Sequence, residues 1–118
     1  MAATLDDKVK VDLMVDTGAS FTTLNLSILR ATGVDLSRPI RSRYMAIPGP
    51  SGVLEVPMFR LNAIQVGTIK VEGLDVGLLD LPPQLAIDGL LGVNFLERFR
   101  PTFDFVNHSI ILRGRLSG

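Results

Sequence analysis

Val11-Asp12-Leu13-Met14-Val15-Asp16-Thr17-Gly18-Ala19-Ser20 is the stretch on which the reading of this chain turns. An apolar run delivers one carboxylate, Asp16, onto a Thr-Gly turn followed by small residues. Upstream, Val9, Val11, Leu13 and Val15 alternate with Lys8, Lys10 and Asp12, which predicts a half-buried strand from Lys8 to Val15 that ends at the acid. A strand finishing in an ionisable group, a hydroxyl and a glycine does little for packing. It does place an acid where its neighbours can hold it still. Asp16 is therefore the candidate catalytic residue.

Downstream, Phe21 to Leu24 predicts a short return strand, and Asn25 reads as the N-cap of a brief helix closed by Gly33. Leu26 and Leu29 are three apart and share its inner face. Residues 41 to 47 predict a strand that runs into Pro48-Gly49-Pro50-Ser51-Gly52, the densest turn signal in the chain. A strand from Val53 to about Arg60 completes that hairpin. Short strands follow at Leu61–Val66, Thr68–Val71 and Leu74–Leu79, then a turn from Asp80 to Pro83. The glycine-flanked Ile87-Asp88-Gly89-Leu90-Leu91-Gly92 reads as a buried strand leading into a helix from Val93 to about Arg98, with Phe95 and Leu96 inward. Phe103-Asp104-Phe105 and Ser109 to Leu112 supply the last strands. Many short strands with Gly/Pro turns predict an all-β, closed or folded barrel carrying one or two short helices.

The totals agree with one domain, residues 1–118. Apolar residues make up 47% of the chain and aromatic ones only 6%, so the core should be aliphatic. A mean hydropathy of +0.35 leaves apolar surface to spare for an oligomer interface or a substrate cleft. Twelve basic residues balance twelve acidic ones, which leaves no net field to draw in nucleic acid or an anionic membrane. The absence of cysteine excludes disulfides and thiolate chemistry, and with a single histidine it argues against a structural zinc site. No apolar run approaches the ~20 residues that cross a bilayer. A soluble domain is expected, cytoplasmic by default or excised from a longer, anchored protein.

Asp16-Thr17-Gly18-Ala19-Ser20 after an apolar strand resembles the active-site motif of aspartic proteases. About seventy residues further on, Asp88-Gly89-Leu90-Leu91-Gly92 resembles the second hallmark of that class, which packs behind the catalytic loop. The order of these motifs, with a hairpin between them and a helix after the second, is similar to the retropepsin-like, single-domain aspartic proteases, including bacterial members. The resemblance covers roughly residues 8 to 113. It implies an aspartic endopeptidase in which two carboxylates activate one water. Like charges ~3 Å apart cannot both ionise, so such a pair shares one proton, aspartic proteases being the established example. Asp-Thr-Gly occurs once, so the second carboxylate must come from a second copy of the chain on a two-fold axis.

The resemblance further implies that Thr17 hydrogen-bonds across that axis and that Gly18 supports the catalytic loop. It makes the hairpin a flap and implies that the first and last strands interleave between subunits. The expected substrate lining is Ala19, Ile87, Asp88 and Leu90 with the flap residues Ile47, Pro48, Gly49, Pro50, Ser51, Gly52 and Val53. No metal or cofactor is implied; the partners are a second chain and an extended polypeptide. Viral members place an acid at Ser20 and an arginine at Val93, and here both are missing together, which suggests a replaced contact. Ala19 supplies no hydroxyl donor to the carboxylate, so activity is expected at mildly acidic rather than strongly acidic pH.

Plainer readings compete. Asp16 read alone is a turn carboxylate, and only the second motif moves the balance. The phosphate-binding hairpin of sugar kinases and actin-like ATPases uses similar residues but needs two large lobes, which this length excludes. Asp88 reads as a cleft-shaping turn rather than a second acid, and His108 as a solvated turn residue. A non-catalytic dimerisation or peptide-binding module on the same fold is the alternative function.

Overall fold

Asp6 and Asp7 both adopt positive φ, 51° and 59°, and their turn folds β1 (Ala2–Leu5) back onto β2 (Val9–Val15). Short acidic side chains tolerate this left-handed region better than most. The computed structural model describes residues 1–104 and 109–114. From β2 the sheet continues through a parallel pairing to β7 (Gly89–Leu91) and an antiparallel one to β3 (Thr22–Leu24). It then passes in parallel to β6 (Ile69–Leu78) and antiparallel to β5 (Val53–Val66). β5 returns to β1 through Thr4↔Gln65 and Leu5↔Ile64, so six strands close into a barrel in the order β1-β2-β7-β3-β6-β5. β4 (Arg41–Ala46) adds to the outer edge of β5 and forms the projecting hairpin with it. β8 (Phe99–Asp104) and β9 (Ser109–Gly114) pair as a separate two-stranded sheet.

Fully buried Leu5, Leu13, Leu24, Leu29, Leu61, Ile64, Leu74 and Leu91 fill the barrel with Phe95. Burying each such side chain is worth about 2 kcal/mol. The barrel holds the fold, since helices of seven residues (α1, Leu26–Thr32) and four (α2, Val93–Leu96) are too short to stand alone. A smaller cluster of Phe21, Val56 and Met58, with Met45 packed against it, ties the base of the β4–β5 hairpin to the segment after Asp16.

The structure revises several expectations. β1 was not anticipated, and it pairs with β2 and β5 of its own chain. The strands expected at 53–60 and 61–66 are one, because nothing breaks the chain at Arg60. Those at 68–71 and 74–79 are also one, since Gly73 stays within β6 at φ 67° and the reversal is made at Gly67 instead. Asn25 holds the N-cap position of α1 without capping it. Its amide donates to the Ile87 carbonyl and its oxygen accepts from the Leu81 amide, while Asp80 accepts from the Leu26 amide. A distant carboxylate thus does the capping. Gly33 closes the helix at φ 82° as expected. The expected turn at Asn107-His108, and Phe105, lie outside the described residues.

Candidate active site

Asp16 sits where the parallel ladder of β2 and β7 runs out. Leu13, Met14 and Val15 pair with Gly89, Leu90 and Leu91, and the Asp16 amide donates to the Leu91 carbonyl at 3.0 Å. The chain then turns tightly. The Ala19 amide donates to the Asp16 carbonyl at 3.1 Å, and the Gly18 amide donates to Asp16 Oδ1 at 2.9 Å. A β-carbon on Gly18 would come within 3.2 Å of that same oxygen, so glycine lets the amide approach and grip the carboxylate. Asp16 is half-buried, whereas Thr17 and Gly18 are exposed at the tip. Thr17 has no hydrogen-bond partner for its hydroxyl among the described residues.

Behind this loop the second motif is packed without clearance. A β-carbon on Gly89 would lie 2.0 Å from the Thr23 carbonyl oxygen, and one on Gly92 would lie 2.4 Å from the Phe21 carbonyl carbon. Glycine is required at both places because the neighbours are backbone. α2 then begins at Gly92, and the Val93 amide donates to the Ala19 carbonyl at 2.8 Å. That bond ties the segment after Asp16 to α2, and Asn94 adds to it. Asn94 Oδ1 accepts from the amide (2.8 Å) and hydroxyl (2.9 Å) of Thr22, and its Nδ2 donates to the Asp75 carbonyl at 2.7 Å. The Thr22 hydroxyl in turn accepts from the Gly92 amide at 3.0 Å. The Thr22 amide and hydroxyl, the Gly92 amide and the Asn94 side chain are thereby partnered, whereas the buried Thr23 hydroxyl next along β3 has no partner among the described residues.

A cleft of about 200 Å³ opens beside the carboxylate, lined by Asp16, Gly18, Ala19, Ser20, Phe21, Tyr44, Met45, Ala46 and Leu90. Of the expected lining, Ala19 and Leu90 border it. Ile47, Pro48, Gly49, Pro50, Ser51 and Gly52 form the hairpin turn, closed by the Ile47 amide on the Gly52 carbonyl at 3.1 Å, and neither they nor Val53, which opens β5, border this cleft in the single chain. Ile87 and Asp88 lie apart from it as well. The Asp88 carboxylate accepts from the Asp12 amide at 2.7 Å and so braces the start of the β2–β7 pairing. Phe21, Tyr44 and Met45 were not anticipated. The apolar run Tyr44-Met45-Ala46-Ile47 before the hairpin turn was the available signal, but such a run does not say which of its residues meets the cleft.

Larger clefts, of about 320 Å³ and 380 Å³, lie elsewhere, the first around Gly33, Ile40 and Phe59 and the second around Ala2, Lys10 and Gln65. Neither contains Asp16, and the smaller cleft is the candidate site because it holds that carboxylate. Among the described residues no group of three or more His, Cys, Asp or Glu is placed to hold a metal. No helix among them is long and apolar enough to cross a membrane.

A family model described as aspartyl protease matches residues 1–95. Among solved structures, the chain is similar to a retropepsin-like aspartic protease from Rickettsia conorii, with 28% identity and a TM-score of 0.70 over 97% of this chain and 80% of that one. It also shares its fold with the protease of Simian Foamy Virus (mac), at 20% identity and a TM-score of 0.56, over 82% of this chain and 90% of the viral one. No curated protein matches.

Proposed function

The chain belongs to the aspartyl protease family, and on that premise we propose that it is an aspartic endopeptidase whose active site is completed by a second copy of itself. The observation that carries this reading is the setting of Asp16. One half-buried acid, gripped by the Gly18 amide, borders a cleft in which no other residue is a carboxylate. Asp88, the nearest rival in the motifs, is occupied by the Asp12 amide. A half-site of about 200 Å³ is also below the usual 300–1,000 Å³ of a complete ligand pocket, and two of them facing across an axis would reach it.

In the dimer, two Asp16 carboxylates share one proton and hold a water between them. The ionised member takes a proton from the water as its oxygen attacks the scissile carbonyl carbon. The protonated member donates to the carbonyl oxygen. Collapse of the resulting diol breaks the C–N bond, and a proton passes to the departing amine. The protons belong to the pair, and no microscopic assignment applies to equivalent residues. Thr17, exposed and with no partner for its hydroxyl among the described residues, bonds across the axis. Residues 47 to 53 close over the cleft as a flap, and substrate lies beneath as an added strand with apolar side chains flanking the cut bond. Residues 1–118 act as one domain.

A peptide-library digest across pH, with Asp16→Asn as control, tests the proposal. Cleavage by the wild type that disappears in Asp16→Asn, with fold and dimer retained, supports it. Equal cleavage by both proteins would end it, and absence of cleavage with retained peptide binding would favour a non-catalytic binding module.

A further inference from the structure

Arg41 of β4 and Arg60 of β5 share one carboxylate, that of Asp75 on β6. Arg41 Nη1 lies 2.7 Å from Asp75 Oδ2, and Arg60 Nε lies 2.8 Å from Asp75 Oδ1. Both oxygens of that carboxylate are thereby engaged. Arg43, two residues along β4 from Arg41, has no carboxylate partner among the described residues. Glu55 does not serve it. In the β4–β5 register Glu55 is opposite Tyr44 while Arg43 is opposite Val56, and successive residues of a strand face opposite sides.

Instead the Arg43 guanidinium lies over the Phe21 ring, 5.3 Å from its centroid. That ring is a fixed platform. Phe21 is 1% exposed and packed with Val56 and Met58, and a β-carbon on Gly77 would come within 2.8 Å of its edge. Phe21 also lines the Asp16 cleft, as do Tyr44 and Met45, the two residues that follow Arg43 on β4. A cation is therefore held at the margin of the reactive pocket by an aromatic face, with in-plane N–H donors available for a ligand.

We infer that Arg43 is a specificity-determining residue that recognises an acidic side chain, Glu or Asp, of the bound polypeptide close to the bond cut at Asp16. A carboxylate is the matching group because it accepts the guanidinium fork through two parallel hydrogen bonds. The inference rests on the protease reading for the identity of the ligand as a substrate. It adds an acidic preference to a cleft whose lining carries one charged side chain, that of Asp16.

The test uses the full chain and peptides differing only by Glu or Gln at each position flanking the cut, at a pH above ~5, where Glu (reference pKa about 4.3) is ionised. At one position kcat/KM is expected to favour Glu by about fivefold, the size of a solvent-exposed ion pair. The preference should shrink in about 0.5 M salt. Arg43→Gln should bring the ratio to about one, and Arg43→Glu should invert it in favour of a Lys-containing peptide. A Glu/Gln ratio that Arg43→Glu leaves unchanged overturns the inference, even if that variant weakens the dimer. If the wild type cleaves nothing, binding of the same peptides with a reduced, uncleavable bond decides separately. Glu-dependent binding lost in Arg43→Gln sustains the recognition while hydrolysis falls, and equal binding of Glu and Gln peptides overturns it.

Discussion

Asn94 and Thr22 are joined twice through one oxygen: Asn94 Oδ1 accepts from both the amide and the hydroxyl of Thr22, at 2.8 and 2.9 Å. Thr22 is fully buried, so these donors have no water to turn to. The same asparagine donates to the Asp75 carbonyl on β6. One side chain therefore locks α2, β3 and β6 together behind the loop that carries Asp16.

Replacing it with leucine strands two donors and an acceptor. Unmade buried hydrogen bonds cost about 1–3 kcal/mol each and do not add fully. Asn94→Leu is expected to lower unfolding free energy by about 2–4 kcal/mol, read from urea midpoints at constant slope. A shift within experimental error would mean that the junction is not the brace described.

The motif glycines make a sharper contrast. At Gly89 and Gly92 the space for a β-carbon is occupied by backbone of β3 and the residue before it, which cannot swing aside. Overpacking of well-packed sites costs typically 1–3 kcal/mol, and rigid neighbours place these at or above its upper end. Gly92→Ala and Gly89→Ala are expected to express poorly or unfold well below the wild type. Gly18→Ala meets only the Asp16 oxygen at 3.2 Å and should fold, with loss of activity exceeding loss of stability. Thermal melts of the three variants side by side check the order.

Far from the site, Asp35 accepts from both the hydroxyl (2.6 Å) and the amide (3.0 Å) of Ser37. These bonds, the hydroxyl's foremost, favour the carboxylate and hold its pKa below the ordinary 3.8. A lowered carboxylate contributes stability that is present above its unfolded value and lost as pH falls through its folded value. The pH window is thus below 3.8, away from any mildly acidic working range. Ser37→Ala is expected to move the Asp35 titration upward in a carbon-detected NMR experiment. An unmoved titration would contradict the assigned cause.

Much of this was readable before any coordinates. The alternation from Val9 to Val15 gave the strand that delivers Asp16, and Gly89 and Gly92 marked close packing. The hairpin tip was plain from Pro48 to Gly52. What stayed hidden depended on tertiary partners. Asp6-Asp7 disguised a tight turn as a charged surface run, so β1 went unseen. Asn25 has the right residue type for a cap, but buried carbonyls and amides nearby claim its side chain, and Asp80 takes over. Asp88 reads as part of the cleft because it adjoins Gly89, yet an unpaired amide on β2 captures it. Arg43 on Phe21 joins residues on different strands, and no local pattern encodes that meeting.

The central claim is that each active site needs an Asp16 from both of two chains, and a mixing experiment tests it most directly. Wild-type protein is held at a fixed concentration above its dimer dissociation constant while Asp16→Asn is titrated in and allowed to exchange. If mixed dimers are inactive, cleavage should fall to about half at equal amounts and to about a tenth at a ninefold excess of the variant, as random pairing on a two-fold axis requires. Cleavage that stays constant through the titration, with exchange verified, would contradict the shared site.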